Sequence, residues 1–351
     1  MPQESTLPGN DAYVWQDREL RFDTAPTFLD ERRGEQRIDS INSVEDTKGN
    51  NGERGALIVT NLRIIWQSHK AAHTNLSVGF NTILRMSKKK AQSKMRGKTE
   101  ALVIMTKYEK TRFEFIFTSL VKNSPRLFTT CLSVFKAYET TKMYRDLKLR
   151  CSIVREGELE LLPLENVYSK LNGVWNLSSE QGNLGSFIIT NVRIVWHANL
   201  AHNFNVSIPY MQIKSIRLRT SKFGKALVIE TSAKMGGGGY ILGFRVDPPE
   251  KLNEVLQECQ SLHHVHSNEP VFGVQWAVED VPDQVVQPMA RVIDDVSIVD
   301  HEDGLMTMQS YFADPNKVRD REVQFDADLG LAIEAPPEGA TTGDLWRVVN
   351  E

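Results

Sequence analysis

GALIVTNLRIIW, from Gly55 to Trp66, decides the fold because the chain repeats it: Gly185 to Trp196 reads GSFIITNVRIVW. Each copy opens on Gly, carries Thr-Asn in the middle, places Arg three residues after the Thr and closes on Trp. The offset of 130 residues persists downstream, where Asn75–Ile83 (NLSVGFNTI) matches Asn205–Ile213 (NVSIPYMQI). A duplication of this extent means that one small fold is used twice, so function is argued for a tandem.

Outward from the motif, repeat one offers GEQRIDSINSVED, ALIV, LRIIWQS, NLSVGF, ILRMS, EALVIMTKY and RFEFIFT, short β-rich runs separated by turn residues. Repeat two offers LELLPLENV, GVWNL, SFII, VRIVWHA, FNVSIPY, IKSIRLR, ALVIETS and GYILGFRV. A helix closes each series. After Ser124-Pro125, apolar residues fall at Leu127, Cys131, Val134, Phe135 and Tyr138, a helical stripe. After Asp247, Pro248 sits at a helix-opening position and Glu250 three residues on suggests a capping box. Leu252, Val255, Leu256, Cys259 and Leu262 form the face to be buried.

Seven strands and then one amphipathic helix is the element order of the pleckstrin-homology superfold, a bent barrel whose open end the helix covers. The expected fold class is mainly β with α: two tandem pleckstrin-homology-like domains related to GRAM and GLUE domains, plus an extended acidic tail. The expected divisions are an N-terminal extension over 1–29, domains over 30–146 and 150–267, and a tail over 268–351. Aligning Ala101–Ile104 with Ala226–Ile229 drops the offset to 125, which places about five extra residues of repeat one in a loop within Ser87–Lys98.

The net charge of −3 conceals an asymmetry: residues 271–351 hold 17 acidic and 5 basic side chains, leaving the rest of the chain basic. The tail cannot bury a core that offsets its own ordering entropy. Its apolar patches at Phe272, Trp276, Tyr311, Phe312, Leu329, Leu331 and Trp346 are therefore expected to bind a partner, and its removal to cost the tandem little stability. No apolar run reaches membrane-spanning length, and no signal-peptide or lipidation pattern appears, so a soluble, cytosolic chain is expected. Cys131, Cys151 and Cys259 lack metal spacing and read as reduced thiols.

Arg85, Lys88, Lys89, Lys90, Lys94, Arg96 and Lys98 form a run with no acidic residue inside it. It suits anionic lipid head groups, each charge being worth ~1 kcal/mol, or else a solvated segment that keeps an edge strand from aggregating. Repeat two has a weaker set in Lys214, Arg217, Arg219, Lys222 and Lys225, of which Arg217 and Arg219 alternate along a strand. Arg63 and Arg193 share a repeat position; as phosphate ligands they would be functional, but retention in both copies is more simply a demand of the fold. Trp66 and Trp196 read as core. Gly236–Gly239 lacks the Lys-Ser/Thr of a phosphate loop and lies between strands, so it reads as a hairpin turn. His263, His264 and His266 end the second helix, where the helix dipole favours protonated imidazole; no further metal ligand lies nearby, so no metal or cofactor is expected. No catalytic signature appears: the three cysteines are followed six residues on by Ala137, Gly157 and Val265, not by the Arg of a phosphatase. A non-enzymatic chain that binds no nucleic acid is expected.

DTKGNNG at Asp46, TNLRIIW at Thr60, RFEFIFTSLV at Arg112, SPRLFTT at Ser124, KAYETTKMYRD at Lys136, NGVWNLSSEQGNLG at Asn172, ITNVRIVWHAN at Ile189 and FNVSIPY at Phe204 resemble the family of the fifth Bardet-Biedl syndrome protein. YFAD at Tyr311 and LGLAIE at Leu329 extend the resemblance into the tail. It implies a subunit of the BBSome, a coat-like complex carrying membrane proteins to and from cilia and needed for ciliogenesis. It implies two pleckstrin-homology-like domains that bind phosphoinositides, notably phosphatidylinositol 3-phosphate, and partners among the other BBSome subunits. It also implies recruitment through a small Arf-like GTPase, and placement at the ciliary base, in the cilium and peripherally on its membrane. The alternative is that the domains act only as protein–protein scaffolds.

Overall fold

The computed structural model describes residues 15–149, 152–178, 182–232, 239–276, 308, 310–313, 323–326 and 331–334. The first domain runs β1 (Leu20–Phe22), β2 (Arg37–Asp46), β3 (Arg54–Thr60), β4 (Arg63–Ser68), β5 (Asn75–Gly79), β6 (Ile83–Ser93), β7 (Gly97–Tyr108), β8 (Thr111–Ser119) and α1 (Arg126–Thr140). Its antiparallel sheet has the order β1-β5-β4-β3-β2-β8-β7-β6. The linker carries β9 (Lys148–Leu149), β10 (Val154–Arg155) and β11 (Glu158–Leu159). The second domain runs β12 (Val167–Asn176), β13 (Asn183–Thr190), β14 (Arg193–Ala198), β15 (Asn205–Pro209), β16 (Ile213–Ser221), β17 (Gly224–Thr231), β18 (Ile241–Val246) and α2 (Leu252–Asn268). Its sheet, β16-β17-β18-β12-β13-β14-β15-β9, repeats the first. In the tail, β19 (Val323–Asp326) pairs with β20 (Leu331–Glu334).

The seven-strands-plus-helix reading holds in both copies, and all five residues of the α1 stripe are buried. Each domain has its own core, one around Trp66, Phe80, Phe115 and Phe117, the other around Trp196, Tyr210 and Phe244. The repeated Gly has a steric cause. A Cβ on Gly55 would lie 2.2 Å from the Gln67 carbonyl oxygen, and one on Gly185 2.1 Å from that of His197. Behind each Gly the Trp ring crosses the strand, and its indole N–H donates to Val44 O at 3.1 Å or Val174 O at 2.9 Å.

Three expectations need revision. The N-terminal extension over 1–29 is not separate from the first barrel: Leu20–Phe22 pairs with Val78–Leu76 at the sheet edge. Without it the backbone edge of β5 would be bare. Repeat two solves the same problem with β9, while β10 and β11 cover the outer face through Ile153, Val154 and Leu159. LELLPLENV is accordingly strand only at its ends, Leu159 in β11 and Val167 in β12, with Leu161 and Leu164 exposed. Asp247 caps no helix. Its carboxylate accepts from Trp175 Nε1 and Arg245 Nη2, both at 2.8 Å, and a 3₁₀ turn over Pro249–Lys251 leads into α2.

The domains touch. Trp15 Nε1 donates to Met211 O at 3.1 Å, Gln212 Nε2 to Arg145 O at 2.6 Å, and Arg33 Nη2 to His264 O at 3.1 Å. After α2 the chain returns to the first domain, whose core Phe272 joins while Trp276 packs against it. Among the described residues no helix is long and apolar enough to cross a membrane.

The histidines of α2 behave against expectation. His263 Nε2 lies 3.2 Å from Ile213 O, and the His266 ring stacks on Tyr210 and Tyr168. Burial pushes both imidazoles below their ordinary pKa, overriding the helix terminus. Burial pushes Asp46 of the first domain the other way, to about 6. The two domains should therefore respond oppositely to acid. A histidine of lowered pKa contributes stability above about 6.5, its unfolded value, and loses it as pH falls below that value, because the unfolded chain then binds more protons. Raised Asp46 contributes stability at low pH and loses it as pH rises through about 6. Hydrogen exchange between about pH 6.5 and 5 should show α2 losing protection relative to the Asp46 corner; equal change in both would contradict the assignment.

Candidate functional site

The repeated arginine sits in a buried ion pair that the fold uses twice. Arg63 Nε donates to Glu35 at 2.7 Å, and Arg193 Nε to Glu165 at 2.8 Å; each arginine side chain is 1 % exposed and each glutamate side chain 0 %. Arg63 also donates to the carbonyls of Phe28, Leu29 and Asp30 and to Ser77 Oγ. Arg193 donates to Glu160 O and Ser207 Oγ. Thr60 and Thr190 each donate to the carbonyl of their arginine at 3.1 Å. Every guanidinium edge is engaged within the chain, so these arginines are structural. The acidic partners were legible: Glu35 and Glu165 share the 130-residue offset.

The basic run of the first domain is not a loop. Arg85–Gln92 extends β6, paired with β7 as far as Ser93↔Gly97, so the extra residues lengthen a hairpin. Arg85, Lys88, Lys89, Lys90, Lys94 and Lys98 are exposed. Folding compensates part of the run, which the local sequence concealed. Lys88 Nζ lies 2.6 Å from Glu100 on β7 and 4.9 Å from the Phe128 ring centroid on α1. Arg96 donates to Ser119 O at 2.7 Å and is half-buried. At the tip, Ser93 Oγ donates to the buried Glu45 and the Lys94 amide to its other oxygen at 2.9 Å, leaving Met95 at the crest. Lys89 and Lys90 point to opposite faces of the hairpin, as successive strand residues must.

The second basic set is more fully neutralised. Lys214 and Arg217 both reach Glu230, at 2.9 and 2.6 Å, and these bonds hold its carboxyl below the usual range. Lys222 lies over the Phe223 ring. Arg219 and Lys225 are exposed at the hairpin end. A cleft of about 100 Å³ between the domains is lined by Trp15, Gln16, Arg32, Arg33, Met211 and His263, with Lys214 of the second basic set also in its wall.

The tail residues divide. Tyr311 is 0 % exposed and Phe272 7 %, both inside the first domain's core cluster. The expectation that they bind a partner is corrected: an aromatic side chain left bare by a sheet that does not close finds burial in its own chain first. Phe312 is 44 % exposed, its backbone bridged to Phe113. Leu331 lies in β20, its side chain outside the described residues, as are Leu329 and Trp346 entirely. The Gly236–Gly239 run lies between β17 and β18, with only Gly239 described. Cys131 and Cys259 are buried free thiols whose pKa burial raises; Cys151 lies outside the described residues. Among the described residues no cluster of His, Cys, Asp or Glu could hold a metal.

Two barrels of one topology, each closed by a helix and differing mainly in their hairpins and tail contacts, define a tandem pleckstrin-homology-like protein. Residues 35–140 match the model of the Bardet-Biedl syndrome 5 protein N-terminal PH-like domain, and residues 148–276 that of its second PH-like domain. The chain is 55 % identical over 337 residues to the BBSome complex member BBS5 of Mus musculus, covering 96 % of this chain and 98 % of the relative. It is 54 % identical to that of Homo sapiens over the same shares. It is 43 % identical over 354 residues to the BBSome complex member bbs-5 of Caenorhabditis elegans, covering 95 % and 97 %. The chain belongs to the Bardet-Biedl syndrome 5 protein family. These matches indicate no enzymatic family.

Proposed function

We propose that the chain is a non-enzymatic BBSome subunit, an adaptor that helps the complex carry membrane proteins to and from the cilium. The observation that carries this is similarity along nearly the whole chain to relatives named as members of that complex. Its partners are then the other subunits, with an Arf-like GTPase acting through the complex. Within this reading the β6–β7 hairpin approaches phosphoinositide membranes, its tip pairing an exposed Met95 with Lys94 and its free lysines supplying the charge. Phosphatidylinositol 3-phosphate is the lipid to test first.

Lys89→Gln/Lys90→Gln/Lys94→Gln should weaken co-sedimentation with phosphatidylinositol 3-phosphate vesicles several-fold per charge, each being worth ~1 kcal/mol. Raised salt should imitate the change. Lys88→Gln/Glu100→Gln should do little, because it removes a pair that is already neutral. Unaltered sedimentation of the triple variant would remove the hairpin from the lipid site. A scaffold without lipid contact is the second reading, favoured by the peptide segment the first domain already holds against β8. A chain that ignores every anionic vesicle yet enters the complex would select it.

A further inference from the structure

The first domain contains a built seat for an aromatic peptide. The pairing of β2 with β8 ends at Asp46↔Phe117. Beyond it the chain turns away through Lys48, and the Arg112–Glu114 edge of β8 is left open. Tyr311–Ala313 lies there, joined to β8 by a single bridge between Phe312 and Phe113. The Glu114 amide donates to Tyr311 O at 2.7 Å, the Ala313 amide to Arg112 O at 3.0 Å, and Lys48 Nζ to Phe312 O at 3.2 Å. Main-chain bonds of this kind supply affinity, while pockets for alternate side chains supply selectivity.

The pocket holds Tyr311. Its ring lies 4.9 Å from Phe115 and 5.6 Å from Phe22. Its hydroxyl donates to Asp46 and accepts from Asn50 Nδ2 at 2.9 Å. The floor is Gly49, where a Cβ would fall 2.0 Å from the Tyr311 Cζ and Oη. Phe312, outside the pocket, lays its ring 5.5 Å from Phe113.

The repeat separates this seat from the requirements of the fold. Whatever both barrels need recurs, as Glu35/Glu165 and Arg63/Arg193 do. The seat does not recur: strand register places Leu149, Leu242 and Asn176 where the first domain has Phe22, Phe115 and Asp46. Leu149 and Tyr240, the latter standing for Phe113, are exposed. The first domain thus carries an aromatic box and a buried carboxylate that its twin folds without.

We propose that this groove is a recognition site for unphosphorylated Tyr-Phe peptides, and that the chain occupies it in cis with its own tail. Three chemical features define the ligand. An aromatic ring fills the box, a neutral hydroxyl donates to Asp46, and a backbone pairs with β8. A phosphorylated tyrosine is excluded, since its phosphate would be driven against the Asp46 carboxylate.

The test uses the full chain with Tyr311→Ala/Phe312→Ala, which empties the seat, and a labelled synthetic peptide MTMQSYFADP, residues 306–315. The variant should bind the peptide saturably. The unaltered chain should bind it ~100-fold more weakly or not at all, because a tethered ligand competes at roughly millimolar effective concentration. Adding Gly49→Ala should abolish binding. A Tyr311→Phe peptide should bind about tenfold more weakly, the buried carboxylate having lost a donor, and the phosphotyrosine peptide should not bind. Absence of binding to the folded variant, binding that survives Gly49→Ala, or preference for the phosphopeptide would each overturn the proposal. If the double variant does not fold, hydrogen exchange on the unaltered and Gly49→Ala chains decides. The Glu114 and Ala313 amides should be protected in the first and released together in the second, with Leu57 and Val59 unchanged. Rapid exchange of both amides in the unaltered chain would defeat the idea.

Discussion

Glu165→Ala should destabilise the second domain by about 3–5 kcal/mol, the cost of leaving a buried charge without its partner. Glu35→Ala should do the same to the first. Removing either carboxylate strands a guanidinium 1 % exposed to water, with only carbonyl and hydroxyl oxygens left to hold it. Arg63→Lys should recover little, because one ammonium cannot reach the Glu35 carboxylate and the carbonyls of Phe28, Leu29 and Asp30 together. Replacing the whole pair by apolar residues of similar volume should cost less than either single change, since no buried charge then remains. Denaturant titration followed by domain-resolved hydrogen exchange separates the two barrels. A Glu165→Ala chain as stable as the unaltered one would show that the pair carries no structural weight.

The second large effect is expected at the repeated tryptophan. Trp196→Ala should cost about 3–5 kcal/mol, the range for emptying a buried aromatic site. The loss has two parts. The ring fills the space over Gly185 and touches Phe204 and Phe244. Its N–H satisfies the O of buried Val174, which sits at a bulge beside Gly173. Trp196→Phe should therefore retain part of the packing but leave that carbonyl without its donor. Trp66→Ala should behave alike in the first domain, where the acceptor is Val44 O. Thermal unfolding monitored by fluorescence of the remaining tryptophans reads both. A loss below about 1 kcal/mol would fall outside the range for large-to-small core changes and contradict the reading.

The repeat explains why so much of the fold was legible. A barrel strand must alternate, and a sheet with a Trp crossing it needs Gly opposite; both demands are local, and the chain states them twice. α1 was legible for the same reason, its stripe at Leu127, Cys131, Val134, Phe135 and Tyr138 being a property of helical period. The basic run showed its composition but not its state. Glu100, twelve residues after Lys88, faces back across the hairpin, and no reading confined to Arg85–Lys98 contains it. His263 and His266 went astray because their local position, a helix end, was outweighed by burial against Ile213 and Tyr210.

Sequence by itself determined the duplication, the strand-and-helix order, the buried Trp pair and the family, all of which rest on short-range periodicity or on identity along the chain. Tertiary structure decided where residues distant in sequence meet. It placed β1 of the N-terminal extension on β5, brought Glu230 to Lys214 and Arg217, and returned Phe272 and Tyr311 to the core of the first domain. The physical reason lies in the incomplete barrel. An open β8 edge and an uncovered aromatic box leave backbone donors and apolar area unsatisfied, and whatever segment can reach them is held there. Composition marked the tail as unable to form a core of its own; only the fold of the first domain determined whose core Tyr311 would enter.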